Sequence, residues 1–537
     1  MKKAIFPLAL ALTLGIGILL GSLLTANSAI QYAKYGLSTK KSNKEAGNKL
    51  TELLEMLDEA YVDSLNMDSI AENVVPTIMQ QLDPHSTYIS TEELQTVNDE
   101  LSASFVGIGI QFNMLSDTIY VVSVVKDGPC EKAGVLPDDQ ILKADTVNLA
   151  GQKLTTDKVI KTLKGKRGSH VDLTVKRPYV DSLLHFSIVR DEIPVNSIDA
   201  AYMIDKEIGY ISVNKFGENT YVEFLTALAS LKKESVKKVI IDLRGNTGGF
   251  LEAAVNMLNE LVADNTLLVY MEGAKRSRHD WVSNGSGSSK NLKIIVLIDE
   301  FSASASEIFA GAIQDNDRGL IVGRRSFGKG LVQSQFPFRD GSAVRMTIAR
   351  YYTPSGRCIQ KPYTLGHSED YEADIYNRYL RGEFFHADSI HQNDSMIYKT
   401  VGGRTVYGGG GIMPDIFVPR DTSAYTPFLH QVVNKSLPYK FSIQYTAKHR
   451  KELSSLKTWQ AVETHLKKNG VMSEFLKYCN DNGVPTNNSE YSRSRVLFEQ
   501  HVIGSIIRNI LKDQEYFPYI NRNDETVQKA VELFRKK

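Results

Sequence analysis

From Asn43 to Gln81 apolar residues return at steps of three and four, in Leu50, Leu53, Leu54 and Leu57 and again in Ile70, Val74, Ile78 and Met79, which predicts two short amphipathic helices. The run ends at Leu82-Asp83-Pro84-His85-Ser86, where the proline disfavours helix in the residue before it. From about residue 104 the pattern changes. Phe105 to Ile110, Ile119 to Val122 and Val171 to Val175 read as strands, with turn-forming Asp127-Gly128-Pro129 and Leu136-Pro137-Asp138-Asp139 between them, so this is a small β-rich domain. Beyond Arg190-Asp191-Glu192-Ile193-Pro194 the strands become continuously apolar, and each leads into a glycine- or serine-rich loop and then a helical pattern, which predicts a parallel α/β core. Val239 to Leu243 leads into Arg244-Gly245-Asn246-Thr247-Gly248-Gly249 and a helix from about Phe250 to Val262. Ile294 to Ile298 leads into Ser302-Ala303-Ser304-Ala305-Ser306-Glu307 and a helix through Ile313. Tyr363 to Lys399 is polar and contains histidines; it reads as a surface insertion rather than a metal site. After Pro419 the chain turns helical, and Val496, Leu497, Val502, Ile503, Ile506, Ile507, Ile510 and Leu511 form a stripe broad enough for an interface or a core face.

Composition narrows the class. The chain has 537 residues with 63 basic and 62 acidic side chains, a net charge of +1 that argues against a nucleic-acid partner. With 42% hydrophobic and 23% charged residues it is ordinary globular material. Its length suits three or four domains at roughly 100–200 residues each. Cys130, Cys358 and Cys479 are too few and too far apart for a disulfide framework or a zinc knuckle. The compartment is indicated by the N-terminus. After Lys2 and Lys3, the apolar run Ala4 to Leu24 is long enough, at about 1.5 Å per residue, to cross a hydrocarbon core of about 30 Å. Export is expected, with the run kept as a single-helix membrane anchor or cleaved near Ala26-Asn27-Ser28. Since Cys130 is the first cysteine, no lipid-modified cysteine can follow the run.

Two strand ends carry tight loops that open onto helix N-termini, where open α/β sheets bind ligands. Ser304 stands in one of these loops, and Lys329 follows in Phe327-Gly328-Lys329-Gly330-Leu331-Val332. A serine hydroxyl is a poor nucleophile until a base takes its proton, and a lysine serves as that base when desolvation depresses its pKa. The apolar and glycine neighbours of Lys329 favour burial, and Gln333 is spaced to orient the amine. Acyl transfer also needs donors for the developing oxyanion, for which the backbone amides of Gly249 and Ala305 are candidates. The bland alternatives are a helix cap at Ser304, a solvated charge at Lys329 and a plain turn at Gly248-Gly249. Gly323 to Gly330 nearly matches a phosphate-binding loop, but Gly330 occupies the position where a hydroxyl must hold magnesium.

The same residues, in order, resemble the C-terminal processing peptidases, or tail-specific proteases, which are exported serine endopeptidases carrying a PDZ domain. The resemblance runs through Leu82 to Tyr88, Ser104 to Ile110, Asp242 to Gly249, Ser302 to Glu307, Ser326 to Gly330, Tyr352 to Gly356 and Gly408 to Asp415, and covers roughly residues 45 to 420. It implies an α/β multidomain chain: a crotonase-like ββα protease core with an inserted β-rich PDZ domain and helical N- and C-terminal regions. The implied division is a signal anchor or signal peptide over 1–30, a helical region over 31–100, the PDZ domain over 101–180, the peptidase core over 181–420 and a helical domain over 421–537. Ser304 matches the family's nucleophile, Lys329 its general base, Gln333 the residue that positions the lysine, and Gly249 and Ala305 its oxyanion-hole amides. Glu307 and Asp315 match acidic positions that some members need, or serve the helix structurally. Val106, Gly107, Ile108 and Gly109 match the loop by which the PDZ domain binds a terminal carboxylate while the peptide adds a strand to the sheet edge. No metal or organic cofactor is implied. Expected partners are proteins or peptides with free C-termini, the membrane through the N-terminal segment, and a second copy of the chain in a homo-oligomer; the resemblance places the chain in a bacterial cell envelope or periplasm, anchored in the inner membrane by the single N-terminal helix. The rival reading is a non-catalytic PDZ scaffold that binds tails.

Overall fold

The computed structural model describes residues 44–101, 104–115, 117–178, 180–391 and 395–536; the apolar run Ala4 to Leu24 lies outside them. Among the described residues no helix is long and apolar enough to cross a membrane. The chain divides into two units at Val75/Pro76. The first holds the helix Lys44–Ala60 and most of the helix Met67–Met79, matching the two apolar periods.

In the second unit, the β-rich domain is an antiparallel sheet in which Ile110–Leu115, Thr118–Val124, Gln140–Ala144, His170–Lys176 and Leu184–Val189 are neighbours in that order. Ile119, Val121, Ile141, Val171, Leu173 and Val175 bury the inner face against the helix Thr156–Leu163 through Val159 and Leu163. The expected strand from Phe105 to Ile110 is in fact two. Ser104–Gly107 pairs with Asp191–Pro194, and Ile110–Leu115 pairs with Thr118–Val124. The break falls at Ile108 and Gly109, where Gly109 takes φ +76°. The Ile108 carbonyl accepts from Cys130 N–H (3.0 Å) and the Gly109 carbonyl from Val125 N–H (2.9 Å), which turns the chain out of a straight ladder. Cys130 is buried in this core, and burial pushes its thiol up to about 12, so it is inert at neutral pH.

The α/β core is built on a six-stranded sheet in the order Ile198–Met203, Ile208–Val213, Lys238–Asp242, Lys293–Ile298, Gly319–Gly323 and Ile416–Phe417. It is parallel from the second strand onward. The first strand runs antiparallel, a departure from the all-parallel expectation. Its link to the second is too short for a crossover helix, and a tight connection permits only a hairpin. The helices Thr220–Lys233, Leu251–Leu261 and Ala305–Asp315 cover one face with Phe224, Leu228, Leu258, Ile308 and Phe309. Val527, Ala530, Val531 and Phe534 of the last helix, Glu525–Arg535, cover the other. A second, antiparallel sheet is centred on Ala343–Tyr352, which pairs with Leu331–Pro337 along one edge and with Thr87–Ile89 and Leu267–Gly273 along the other.

From Pro427 the chain is helical, and Val502, Ile503, Ile506 and Ile507 of the apolar stripe are fully buried among Phe441, Val471, Phe475 and Phe498. Most of the stripe is therefore core, while Val496 at its start is exposed. Tyr363 to Lys399 also departs from expectation. Tyr371, Arg378, Glu383 and Phe384 within it are buried, so the segment is packed into the molecule rather than laid over its surface.

Candidate active site

The loop after Lys238–Asp242 and the loop after Lys293–Ile298 are fastened to each other. Asn246, fully buried, donates its side-chain amide to Val213 carbonyl (2.9 Å) and accepts from Gly248 N–H (2.9 Å). Its backbone carbonyl accepts from Ala303 N–H (3.0 Å) and Ser306 Oγ (2.8 Å). Ser302 Oγ donates to Leu243 carbonyl (2.8 Å). The approach is closest at Gly248, where a Cβ would stand 2.7 Å from Ser304 Cβ and from Ala303 carbonyl oxygen. Gly249, at φ +139°, passes so near Phe216 that a Cβ would stand 2.2 Å from its carbonyl oxygen. Only glycine fits either place.

Ser304 begins the helix Ala305–Asp315 and takes φ 55° and ψ −113°, a strained conformation for a residue with a Cβ. Its amide donates to Glu307 Oε2 (2.9 Å). Among the described residues, the amides of Ala305 and Gly249 donate to no protein acceptor. Glu307 is fully buried, and its other contacts reach the lysine loop: Oε2 also accepts from Lys329 N–H (2.8 Å), while Oε1 accepts from Gly328 N–H (2.7 Å) and Ser326 Oγ (2.5 Å). One carboxylate thus ties the backbone of Ser304 to that of Lys329. Burial pushes Glu307 up to about 7 against these four hydrogen bonds, which favour its ionised form.

Lys329 Nζ donates to Gln333 Oε1 (3.1 Å). Gln333 in turn donates to the His85 carbonyl (2.5 Å), on the turn Leu82 to Ser86. That turn is held by Asp83, which accepts from Ser86 Oγ (2.5 Å), His85 N–H (3.0 Å) and Thr347 Oγ1 (2.9 Å). Burial lowers the Lys329 pKa, and Arg345 lowers it further; Asp83 and Glu307, from distant parts of the chain, oppose them. No hydrogen bond joins Lys329 to the Ser304 hydroxyl among the described residues. Catalytic hydrogen bonds commonly tighten only when substrate is bound.

Asp315, the second acidic position, is fully buried against Arg357 (2.7 Å) and accepts from Ser355 N–H (3.1 Å). It braces the end of the helix away from Ser304. Val106 and Gly107 belong to the paired strand, whereas Ile108 and Gly109 lie outside it, and their amides donate to no acceptor among the described residues. The Ile108 side chain is buried in the β-rich core. Arg167, near this domain's edge, pairs with Asp191 at 2.7 Å. Sequence reasoning missed Asn246, the role of the His85 carbonyl, and the buried insertion residues Tyr371 and Arg378. Arg378 donates to the carbonyls of Ser326 (2.9 Å) and Arg325 (2.7 Å), directly beneath the lysine loop.

Residues 207–373 match the peptidase family S41, residues 106–188 a PDZ domain, and residues 428–512 a family of unknown function (DUF8443). A probable CtpA-like serine protease of Staphylococcus epidermidis is 34% identical over 348 residues, 64% of this chain and 70% of that protein. One from Staphylococcus haemolyticus is 33% identical, over 64% and 69% respectively. Among solved structures, a photosystem II D1 C-terminal processing protease aligns with 58% of this chain and 89% of its own at 26% identity and a TM-score of 0.34. The chain belongs to the S41 serine peptidases, in their PDZ-containing, C-terminal processing group. It is a serine-type peptidase, so the non-catalytic scaffold loses its support.

Proposed function

We propose that Ser304 is the nucleophile and Lys329 the general base of a dyad whose amine Gln333 orients, with the amides of Gly249 and Ala305 as oxyanion hole. The observation that carries this reading is the Glu307 carboxylate, one oxygen of which accepts from the amides of both Ser304 and Lys329. Ser304 Oγ attacks the scissile carbonyl carbon as its proton passes to neutral Lys329 Nζ. The oxyanion forms against the two amides, and its collapse expels the amine fragment, which takes the proton back from Lys329. Water then attacks the acyl-enzyme, again giving its proton to Lys329, and Ser304 leaves with that proton as the new carboxyl terminus departs.

The substrates are polypeptides with free C-termini, held by Val106, Gly107, Ile108 and Gly109 and paired as an added strand to the PDZ sheet. The amides of Ile108 and Gly109, which donate to no acceptor among the described residues, support this assignment. The core is of crotonase-like type, spanning about 181–420 between helical regions, with the PDZ domain inserted at about 101–180. The run Ala4 to Leu24 exports the chain and tethers it in the cell envelope, exposing the peptidase to the periplasm. None of the catalytic steps calls on a metal or an organic cofactor. The test is turnover of a model protein with a free apolar tail. Ser304→Ala and Lys329→Ala are each expected to abolish cleavage with the fold retained, and proteolysis by purified Ser304→Ala protein would contradict the assignment.

A further inference from the structure

Beyond Gln333, the hydrogen bonds around Lys329 continue into a closed ring. Gln333 is anchored on the His85 carbonyl, and His85 Nε2 lies 2.8 Å from the Tyr371 hydroxyl, with the two rings edge to face at 5.1 Å. Gln360 Nε2 donates to the same hydroxyl at 3.5 Å, and Gln360 Oε1 accepts from Gly330 N–H (2.8 Å), the residue after Lys329. Lys361 N–H donates to Gly328 carbonyl (2.9 Å), the residue before it. Tyr371 thus touches both ends of the lysine's support: the turn that anchors Gln333 and the segment, at Gln360, that holds the loop backbone.

We propose that Tyr371 and His85 are positioning residues for Lys329, acting through Gln333, so that the insertion after Tyr363 is part of the catalytic apparatus. This rests on Lys329 being the base. Tyr371 is buried, edge-on to Phe327 at 5.9 Å, and Lys361 Nζ lies over both rings at 4.1 and 4.0 Å. A phenolic hydroxyl lies near the plane of its ring, so holding the ring fixes where the oxygen meets Gln360 Nε2 and His85 Nε2, and a fixed imidazole fixes the turn below it. The charged and titratable groups facing Lys329 are Arg345, Asp83, Glu307 and His85, while His85 itself faces Lys329, Asp83, Lys361 and Tyr371. Burial, with Lys329 beside it, brings His85 down to about 4, so at neutral pH the imidazole is uncharged and adds no second cation beside the amine.

A double-mutant cycle on the whole protein tests this, using steady-state cleavage of a model protein with a free apolar tail. Tyr371→Phe keeps the ring and removes one hydroxyl. In the wild-type background it is expected to lower kcat about 3- to 10-fold, with KM unchanged within about twofold. In a Gln333→Ala background it is expected to cost less than about twofold more, because the element through which it acts is already gone. His85→Ala in the same cycle gives a second reading should Tyr371→Phe fold poorly. It also admits water to the amine, so the alkaline rise of kcat/KM moves to higher pH. Equal losses in both backgrounds, or no loss in either, would overturn the proposal. Lys329→Ala separates the two claims: turnover surviving there removes the base itself, whereas an inactive Lys329→Ala with additive Tyr371 losses removes only the ring.

Discussion

Glu307→Gln is nearly isosteric, yet it should be among the most damaging single substitutions in the core. All four groups around the carboxylate are donors: the amides of Ser304, Gly328 and Lys329 and the Ser326 hydroxyl. A glutamine offers one oxygen, which can accept from two of them, and turns an NH2 toward the others. The less costly orientation points that NH2 at Ser326 and Gly328. The Ser326 hydroxyl cannot easily compensate, because its oxygen already accepts from Ile412 N–H (2.6 Å). One buried amide and one NH2 proton then lack acceptors, at about 1–3 kcal/mol each, so destabilisation of about 2–6 kcal/mol is expected. The larger effect is on turnover. The lysine loop loses its tie at Gly328, and misplacement of a catalytic group by about 1 Å costs about a hundredfold. Denaturant titration at fixed pH and kcat on a tailed substrate are the assays. A variant with the wild-type midpoint and kcat would refute the claim that this carboxylate assembles the two loops.

Gly249→Ala must find room for a methyl 2.2 Å from Phe216 carbonyl oxygen. The displaced amide should lower kcat by about 10²–10³, and wild-type kinetics would remove Gly249 from the oxyanion hole. Arg378→Ala leaves the carbonyls of Ser326 and Arg325 and the buried Glu383 short of a partner; a stability loss of about 3 kcal/mol and lower kcat are expected, read by thermal melting and cleavage. Because catalysis needs neutral Lys329, whose pKa burial lowers, activity should rise with pH through a limb below the ordinary lysine value of about 10.4; an acidic optimum would point to a carboxylate mechanism. Amidating the C-terminus of a substrate tail should slow cleavage at low substrate concentration, and equal rates for free and amidated tails would remove carboxylate recognition by the Val106–Gly109 loop.

The residues that were legible in the sequence are those whose chemistry is local. Ser304 and Gly249 follow apolar strands and open helices, and the glycines around Lys329 signal a tight, buried loop, so type and spacing pick them out together. What joins them is not local. The Gln333 to His85 bond spans 248 positions and the His85 to Tyr371 contact 286, and no short-range pattern reports such pairings. Tyr371 and Arg378 were obscured by their setting in a polar, histidine-containing stretch, where buried polar groups satisfied by backbone carbonyls look the same as surface ones. The break at Ile108-Gly109 was hidden for a similar reason. An apolar run with permissive glycines reads as a strand until the Cys130 and Val125 amides are seen to claim its carbonyls. Val502 to Ile507 fit either an interface or a core, and only the packing of Phe475 and Phe498 against them decides.

The most direct test of the account is covalent labelling with a fluorophosphonate, followed by peptide mapping by mass spectrometry. The account predicts a single adduct on the peptide containing Ser304, forming faster as pH rises, absent in Ser304→Ala and strongly slowed in Lys329→Ala. An adduct that persists in Ser304→Ala, or labelling of Ser304 that is indifferent to the loss of Lys329, would contradict it.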